Sequence, residues 1–117
     1  MKLTAGQILI INLRDALPNE PGKRARPCVL IENRQIFGDQ YANIIVVPLT
    51  HDRKASFSIL TTTIDPTPEN GCEVRSYAIS GHVTSTSRLR IVRATDSRIT
   101  DEQVANIRAQ VALAIAA

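Results

Sequence analysis

Apolar residues fall along the chain in short runs separated by polar connections. Residues 6–13, Gly-Gln-Ile-Leu-Ile-Ile-Asn-Leu, are apolar on both parities and rich in β-branched side chains. That pattern predicts a strand buried on both faces. Arg26-Pro27-Cys28-Val29-Leu30-Ile31-Glu32 predicts a second strand, with Pro27 tolerated near its start. Asn43 to Leu49 predicts a third, whose frayed or edge end Pro48 marks. Ser56 to Thr63 alternates well enough for a fourth. Ser76 to Ile79 is a short strand interrupted by Gly81, and Val83 to Val92 follows, with Leu89 to Val92 its more strand-like part.

The connections carry turn chemistry. Residues 14–25 hold two prolines, one glycine and five charges. A polar loop of that length in a small domain is often functional. Asp65-Pro66-Thr67-Pro68-Glu69-Asn70-Gly71 is dense in turn formers. Near the C-terminus, Thr100-Asp101-Glu102-Gln103 is a capping box, a hydroxyl followed three residues on by an amide. Asp101 and Glu102 suit the positive end of a helix dipole. Val104, Ile107, Val111 and Ile115 then recur at helical spacing, which predicts one packed helix face. Short strands closed by one helix predict a small, strongly bent sheet or barrel of the α+β class.

Length and composition narrow the class. The chain has 117 residues, 44% apolar and 21% charged. These values fit one globular domain over 1–117 and exclude whole-chain disorder. No apolar run, Ile44 to Leu49 among them, is long enough to span a bilayer. The N-terminus lacks the pattern of a signal peptide with a small-residue cleavage site. Cys28 and Cys72 form neither a disulfide framework nor a zinc knuckle, so a reduced, cytoplasmic protein without a membrane is expected. The net charge is +3, and 11 of the 14 basic residues are arginine. The planar guanidinium fork suits phosphate, so a polyanionic partner fits the charge. Plain surface solubility fits it as well.

Chemistry is sparse by motif. There is no phosphate-binding Gly-rich loop, no HExxH and no G-x-S-x-G. The two histidines, His51 and His82, lie in separate segments, and neither Cys nor His clusters at metal-ligand spacing. No metal or cofactor is expected. What remains are polar residues at the ends of apolar strands: Arg26 after the charged loop, Thr50 after Leu49, and Ser80-Gly81-His82 at a strand break. A rigid sheet holds a site well at such ends. His51, in a charged turn after Thr50, is expected to be solvated.

The order of these segments resembles the MazF/PemK (Kid) toxins. The matching pieces are Gly6-Gln7-Ile8, Asn19-Glu20-Pro21-Gly22, Arg26-Pro27-Cys28-Val29-Leu30-Ile31, Val46-Val47-Pro48-Leu49-Thr50, Asn70-Gly71-Cys72 with Ser76-Tyr77-Ala78-Ile79, and Ser87-Arg88-Leu89. Together they span nearly the whole chain. Two departures stand out. Gln7 replaces the family's usual Asp, and Gly81 stands where the Kid-like branch carries an acidic residue implicated as a base.

The resemblance implies a small SH3-like antiparallel β-barrel with a C-terminal α-helix, assembled as a homodimer. It implies the toxin of a type II toxin–antitoxin pair, inhibited by a cognate antitoxin. The implied activity is that of a metal-independent, sequence-specific endoribonuclease (an mRNA interferase). Such an enzyme cuts single-stranded RNA to 2′,3′-cyclic phosphate and 5′-OH ends. By position match Arg26 clamps the scissile phosphate and Thr50 hydrogen-bonds the phosphate or the 2′-OH. His82 stands at the family's glutamine, either as the acid or base that Gly81 does not provide or as a base-contacting or structural residue. Lys23 and Arg24 are expected on RNA phosphates and Glu20 on a base edge, with Ser80 joining them as an RNA contact. The alternatives are a CcdB-like DNA gyrase poison, a catalytically inactive binding member of the same fold, and an unrelated small-barrel interaction domain.

Overall fold

The computed structural model describes residues 2–14 and 25–116. Seven strands and one helix follow in chain order: β1 (Gln7–Ile11), β2 (Arg26–Leu30), β3 (Asn43–Thr50), β4 (Thr61–Ile64), β5 (Ser76–Ile79), β6 (Thr84–Ser87), β7 (Ile91–Arg98) and α1 (Asp101–Ile115). Every strand pairing is antiparallel. The sheet runs β4-β5-β3-β2-β1-β7, with β6 on the side of β3.

The sheet is open, which corrects the barrel expectation. Its path ends at β4 and β7, which do not pair. The proline-bearing connection 65–75 meets the end of β7 instead, through one backbone bond from Arg98 N–H to the Glu69 carbonyl (2.8 Å). Pro66 and Pro68 have no N–H to build a ladder there.

β3 shapes the sheet because it has three partners. Its first half, Asn43–Val46, pairs with β6, and its end, Leu49–Thr50, pairs with β5. The opposite edge pairs with β2, Cys28 opposite Pro48 and Leu30 opposite Val46. Pro48 is therefore interior to the strand, not at a frayed end. The carbonyl of Ile45 accepts from Ile31 N–H (3.1 Å), so odd-numbered β3 residues address β2 and even-numbered ones address the other edge. The missing N–H of Pro48 falls on that other edge, in the gap between β6 and β5.

Both faces of β1–β3 carry buried residues, as the apolar run 6–13 predicts for β1. On one face Ile8, Val29, Val47, Leu49, Ile64 and Ala78 pack with Ile99, Val104 and Ile107. On the other, Leu9, Ile11, Cys28, Leu30, Ile44 and Val46 form a second cluster with Leu3. Alternation puts Ile8 in one and Leu9 in the other.

Two strand expectations shift. The segment from Ser56 begins as part of a 3₁₀ turn, Arg53–Phe57, and the strand starts only at Thr61. Asp52 caps that turn, accepting from Lys54 N–H (3.0 Å), and Phe57 and Ile59 are exposed. The alternation there has no buried face to serve. The run Val83–Val92 likewise divides into β6, a 3₁₀ turn at Arg88–Arg90 and β7. Ser87 Oγ caps the turn at Leu89 N–H (3.1 Å), leaving Leu89 almost wholly exposed. β7 then continues through the polar stretch Arg93–Arg98, held by β1 across a register shift between Gln7 and Leu9. There Thr95 Oγ1 donates to the Ile8 carbonyl (2.6 Å) and Gln7 Nε2 to the Thr95 carbonyl (2.9 Å).

The helix begins as its capping box predicts, with Thr100 Oγ1 accepting from Gln103 N–H (3.1 Å) and Gln103 Oε1 from Thr100 N–H (3.0 Å). Val104 and Ile107 are buried and Val111 packs at the margin, but Ile115 is exposed, which shortens the predicted face by one turn. Polar bonds anchor the helix beyond Ile107. Gln110 Oε1 accepts from Ser80 Oγ (2.6 Å) and Thr62 Oγ1 (3.0 Å), and Arg108 Nε donates to the Ile31 carbonyl (2.8 Å). No helix among the described residues is long and apolar enough to cross a membrane.

Truncating Ile107 to Ala is expected to cost about 2–5 kcal/mol. Ile115→Ala is expected to stay within about 0.5 kcal/mol of the parent. Urea denaturation of both variants checks the pair.

Candidate active site

Arg26 and Thr50 come together through the β2–β3 register. Residue numbers of facing partners sum to the same value along this pair, so two steps past Cys28 and Pro48 bring Arg26 opposite Thr50. Both line a cleft of about 840 Å³. Its floor is apolar: Ile8 and Ile10 of β1, Pro27 of β2 and Leu49 of β3. Its rim is polar and carries both charges, with Arg26, His51 and Asp52 on one side and Arg93 and Asp96 on the other.

The same register explains how Arg26 is held. Leu49 addresses β2, and the facing position is residue 27. A backbone N–H there would bond the Leu49 carbonyl, but Pro27 has none. Arg26 Nε takes that place, donating to the Leu49 carbonyl at 3.2 Å. The guanidinium is fixed through Nε, and its Nη groups bond no described residue. Among the described residues neither Arg26 nor Arg93 enters a salt bridge.

Thr50 is oriented by its own turn. Its Oγ1 accepts from Asp52 N–H (3.2 Å), so the hydroxyl proton is available to a ligand. Asn70, Gly71 and Cys72 wall the cleft beside β7. Buried Asn70 organises this loop: its Oδ1 accepts from Thr67 N–H (3.1 Å) and Cys72 N–H (2.9 Å), and its Nδ2 donates to the Asp65 carbonyl (2.9 Å). Gly71 has φ +65°, and a Cβ there would lie 2.5 Å from Ser97 Oγ. Only glycine lets this loop close against β7.

The remaining sequence candidates lie elsewhere. Ser80 is fully buried, its hydroxyl donating to Gln110 on the helix, so it presents no surface to RNA. His82 sits in the 3₁₀ turn Ser80–His82 against α1, and its buried Nδ1 has no hydrogen-bond partner among the described residues. Neither lines the Arg26–Thr50 cleft. Glu20, Lys23 and Arg24 lie outside the described residues. The cleft adds His51, Arg93, Thr95, Asp96 and Ser97. The β7 residues follow no apolar pattern and reach the site only through pairing with β1. No three of His, Cys, Asp and Glu converge among the described residues.

The two thiols differ sharply. Burial pushes Cys28 up to about 12 against the opposing pull of the Arg26 charge, so it stays a protonated core thiol at neutral pH. Cys72 is partly exposed at the cleft wall. A disulfide labelling reagent is expected to modify Cys72 in the native protein and Cys28 only after unfolding. Equal native labelling of both would contradict the burial of Cys28.

Solved structures share the fold. A MazF from Deinococcus radiodurans matches with a TM-score of 0.77 at 16% identity, covering 97% of this chain and 96% of that one. The Mycobacterium tuberculosis toxin MazF-mt6 matches with a TM-score of 0.68 at 19% identity, over 92% and 94% of the two chains. An endoribonuclease from a mycobacterial species, in complex with its cognate antitoxin, matches at 0.69 and 16%, over 97% and 94%. No curated protein matches the sequence. The family of PemK-like, MazF-like toxins of type II toxin–antitoxin systems matches residues 4–115. With that match covering nearly its whole length, the chain belongs to the PemK/MazF toxin family.

Proposed function

We propose that this toxin is an endoribonuclease acting on single-stranded RNA, mRNA included, at the Arg26–Thr50 cleft. The observation that carries the reading is the guanidinium of Arg26, pinned through Nε with its Nη groups unengaged by described residues, beside the hydroxyl of Thr50. The ribose 2′-oxygen attacks the adjacent phosphorus, and the bond to the 5′-oxygen breaks. The products are a 2′,3′-cyclic phosphate and a 5′-OH end. Charge accumulates on the non-bridging oxygens as the phosphorane forms. A fixed cation and a hydroxyl donor aimed at that charge stabilise the transition state more than the ground state. Such chemistry needs a 2′-OH and is closed to DNA.

Lys23, Arg24 and Glu20 extend the RNA contacts in this reading, the two cations on phosphates and Glu20 on a base edge. The reaction is metal-independent in this proposal, because a guanidinium supplies the positive charge. The toxin acts as a homodimer and is neutralised by a cognate antitoxin. The likeness to an endoribonuclease with its bound antitoxin supports the last point.

Arg26→Ala is expected to lower cleavage of a long mRNA transcript by about 10²–10³-fold, with the circular dichroism of the parent retained. Thr50→Val keeps shape and deletes a hydrogen bond to charge, so about 10- to 100-fold should be lost. Cleavage should persist in excess EDTA, leave cyclic-phosphate ends and fail on 2′-deoxy substrate. Activity restored only by a divalent ion would overturn the metal-free reading. Growth inhibition without any RNA cleavage would favour a gyrase poison or another binding toxin.

A further inference from the structure

The proposed reaction needs a group to accept the 2′ proton. Arg26 cannot, because a guanidinium stays protonated at any working pH. Thr50 is a donor to the phosphate. The acceptors in the described cleft are His51, Asp52 and Asp96. Asp52 Oδ1 caps the following 3₁₀ turn by accepting from Lys54 N–H (3.0 Å). Asp96 lies on β7, separated from Thr50 on β3 by β2 and β1 in the sheet. His51 directly follows Thr50, and the backbone around it is tied on both sides: Asp52 N–H to Thr50 Oγ1 (3.2 Å) before it, Lys54 N–H to Asp52 after it. His51 thus sits on a tied stretch of backbone and lines the same cleft as Thr50. The only other histidine lies outside the cleft against the helix.

We propose that His51 is the general base of this toxin. The inference rests on the endoribonuclease reading above. Neutral imidazole nitrogen takes the proton from the 2′-OH as the 2′-oxygen forms its bond to phosphorus. The P–O5′ bond breaks, and the departing 5′-oxygen takes a proton from water on the opposite, in-line side. Imidazolium then returns its proton to solvent. The charged and titratable groups sharing the described cleft with His51 are Arg26 of β2, its neighbour Asp52, Cys72 of the 65–75 loop, and Arg93 and Asp96 of β7. A base must be unprotonated to accept the 2′ proton, so cleavage should rise with pH and then level off.

The test compares parent, His51→Gln and His82→Gln on a long mRNA transcript. Binding is followed with a 2′-O-methyl RNA that cannot be cut. His51→Gln is expected to lose about 10²–10⁴-fold in cleavage and the rise with pH, while its affinity for the 2′-O-methyl RNA stays within about threefold. His82→Gln is expected to keep both rate and profile. Once the parent's cut site is mapped, a substrate with sulfur in place of the 5′-oxygen leaves without needing a proton. Relative to the parent on the same substrate, His51→Gln should lose as large a factor with sulfur as with oxygen, because base catalysis is still missing. Rescue by sulfur would make His51 the acid and overturn the proposal. So would a full rate with an unchanged pH profile in His51→Gln, or a flattened profile in His82→Gln. A parent that cuts no RNA would instead sink the endoribonuclease reading, and the role of His51 with it.

Discussion

The missing N–H of Pro27 is the constraint from which the site follows. In the β2–β3 ladder the carbonyl of Leu49 looks to position 27 for a donor, and proline supplies none. A buried carbonyl left unpaired costs about 1–3 kcal/mol, so a donor is recruited from nearby. Arg26 Nε fills the gap at 3.2 Å. One bond thereby completes the ladder and immobilises a guanidinium at the cleft. Preorganisation of this kind is what catalysis of charge development requires, because the cation need not be ordered during the reaction.

The rest of the sheet keeps that arrangement in place. β3 is clamped on both edges, by β2 on one and by β6 and then β5 on the other. Pro48 fits because its absent N–H faces the gap where those two partners change over. The prolines at 27 and 48 thus have opposite consequences. One leaves a carbonyl that a side chain must satisfy, and the other falls between the residues that pair with β6 and those that pair with β5. The buried faces of β1, β2 and β3 fix the register, since a one-residue slip would turn Val29 and Val47 out of the helix-side core.

Much of this was legible in the sequence, and the rest was not, for physical reasons. Apolar runs mark β1–β3, and Thr100 with Gln103 marks the helix start to the residue. Arg26 and Thr50 stood out as polar residues closing apolar strands. β7 was legible only as far as Val92, because Arg93–Arg98 has no apolar alternation and is a strand by virtue of its partner, not its own propensity. With it went Arg93 and Asp96, half of the cleft rim. Ile115 kept helical spacing but runs past the sheet that would cover it. Order along the chain alone puts Ser80 and His82 near the site. The 3₁₀ turn after β5 directs them to the helix.

Pro27 commits Arg26 to the cleft by leaving the Leu49 carbonyl open. The most direct measurement is the ¹⁵N NMR signal of the Arg26 Nε–H in the parent and in Pro27→Ala, followed with RNA cleavage. A slowly exchanging Nε–H is expected in the parent. In Pro27→Ala the new backbone N–H should capture the Leu49 carbonyl, release the Nε–H to solvent exchange and lower cleavage while stability holds or rises. An Nε–H that exchanges freely in the parent, or a Pro27→Ala protein that cuts RNA as well as the parent, would contradict it.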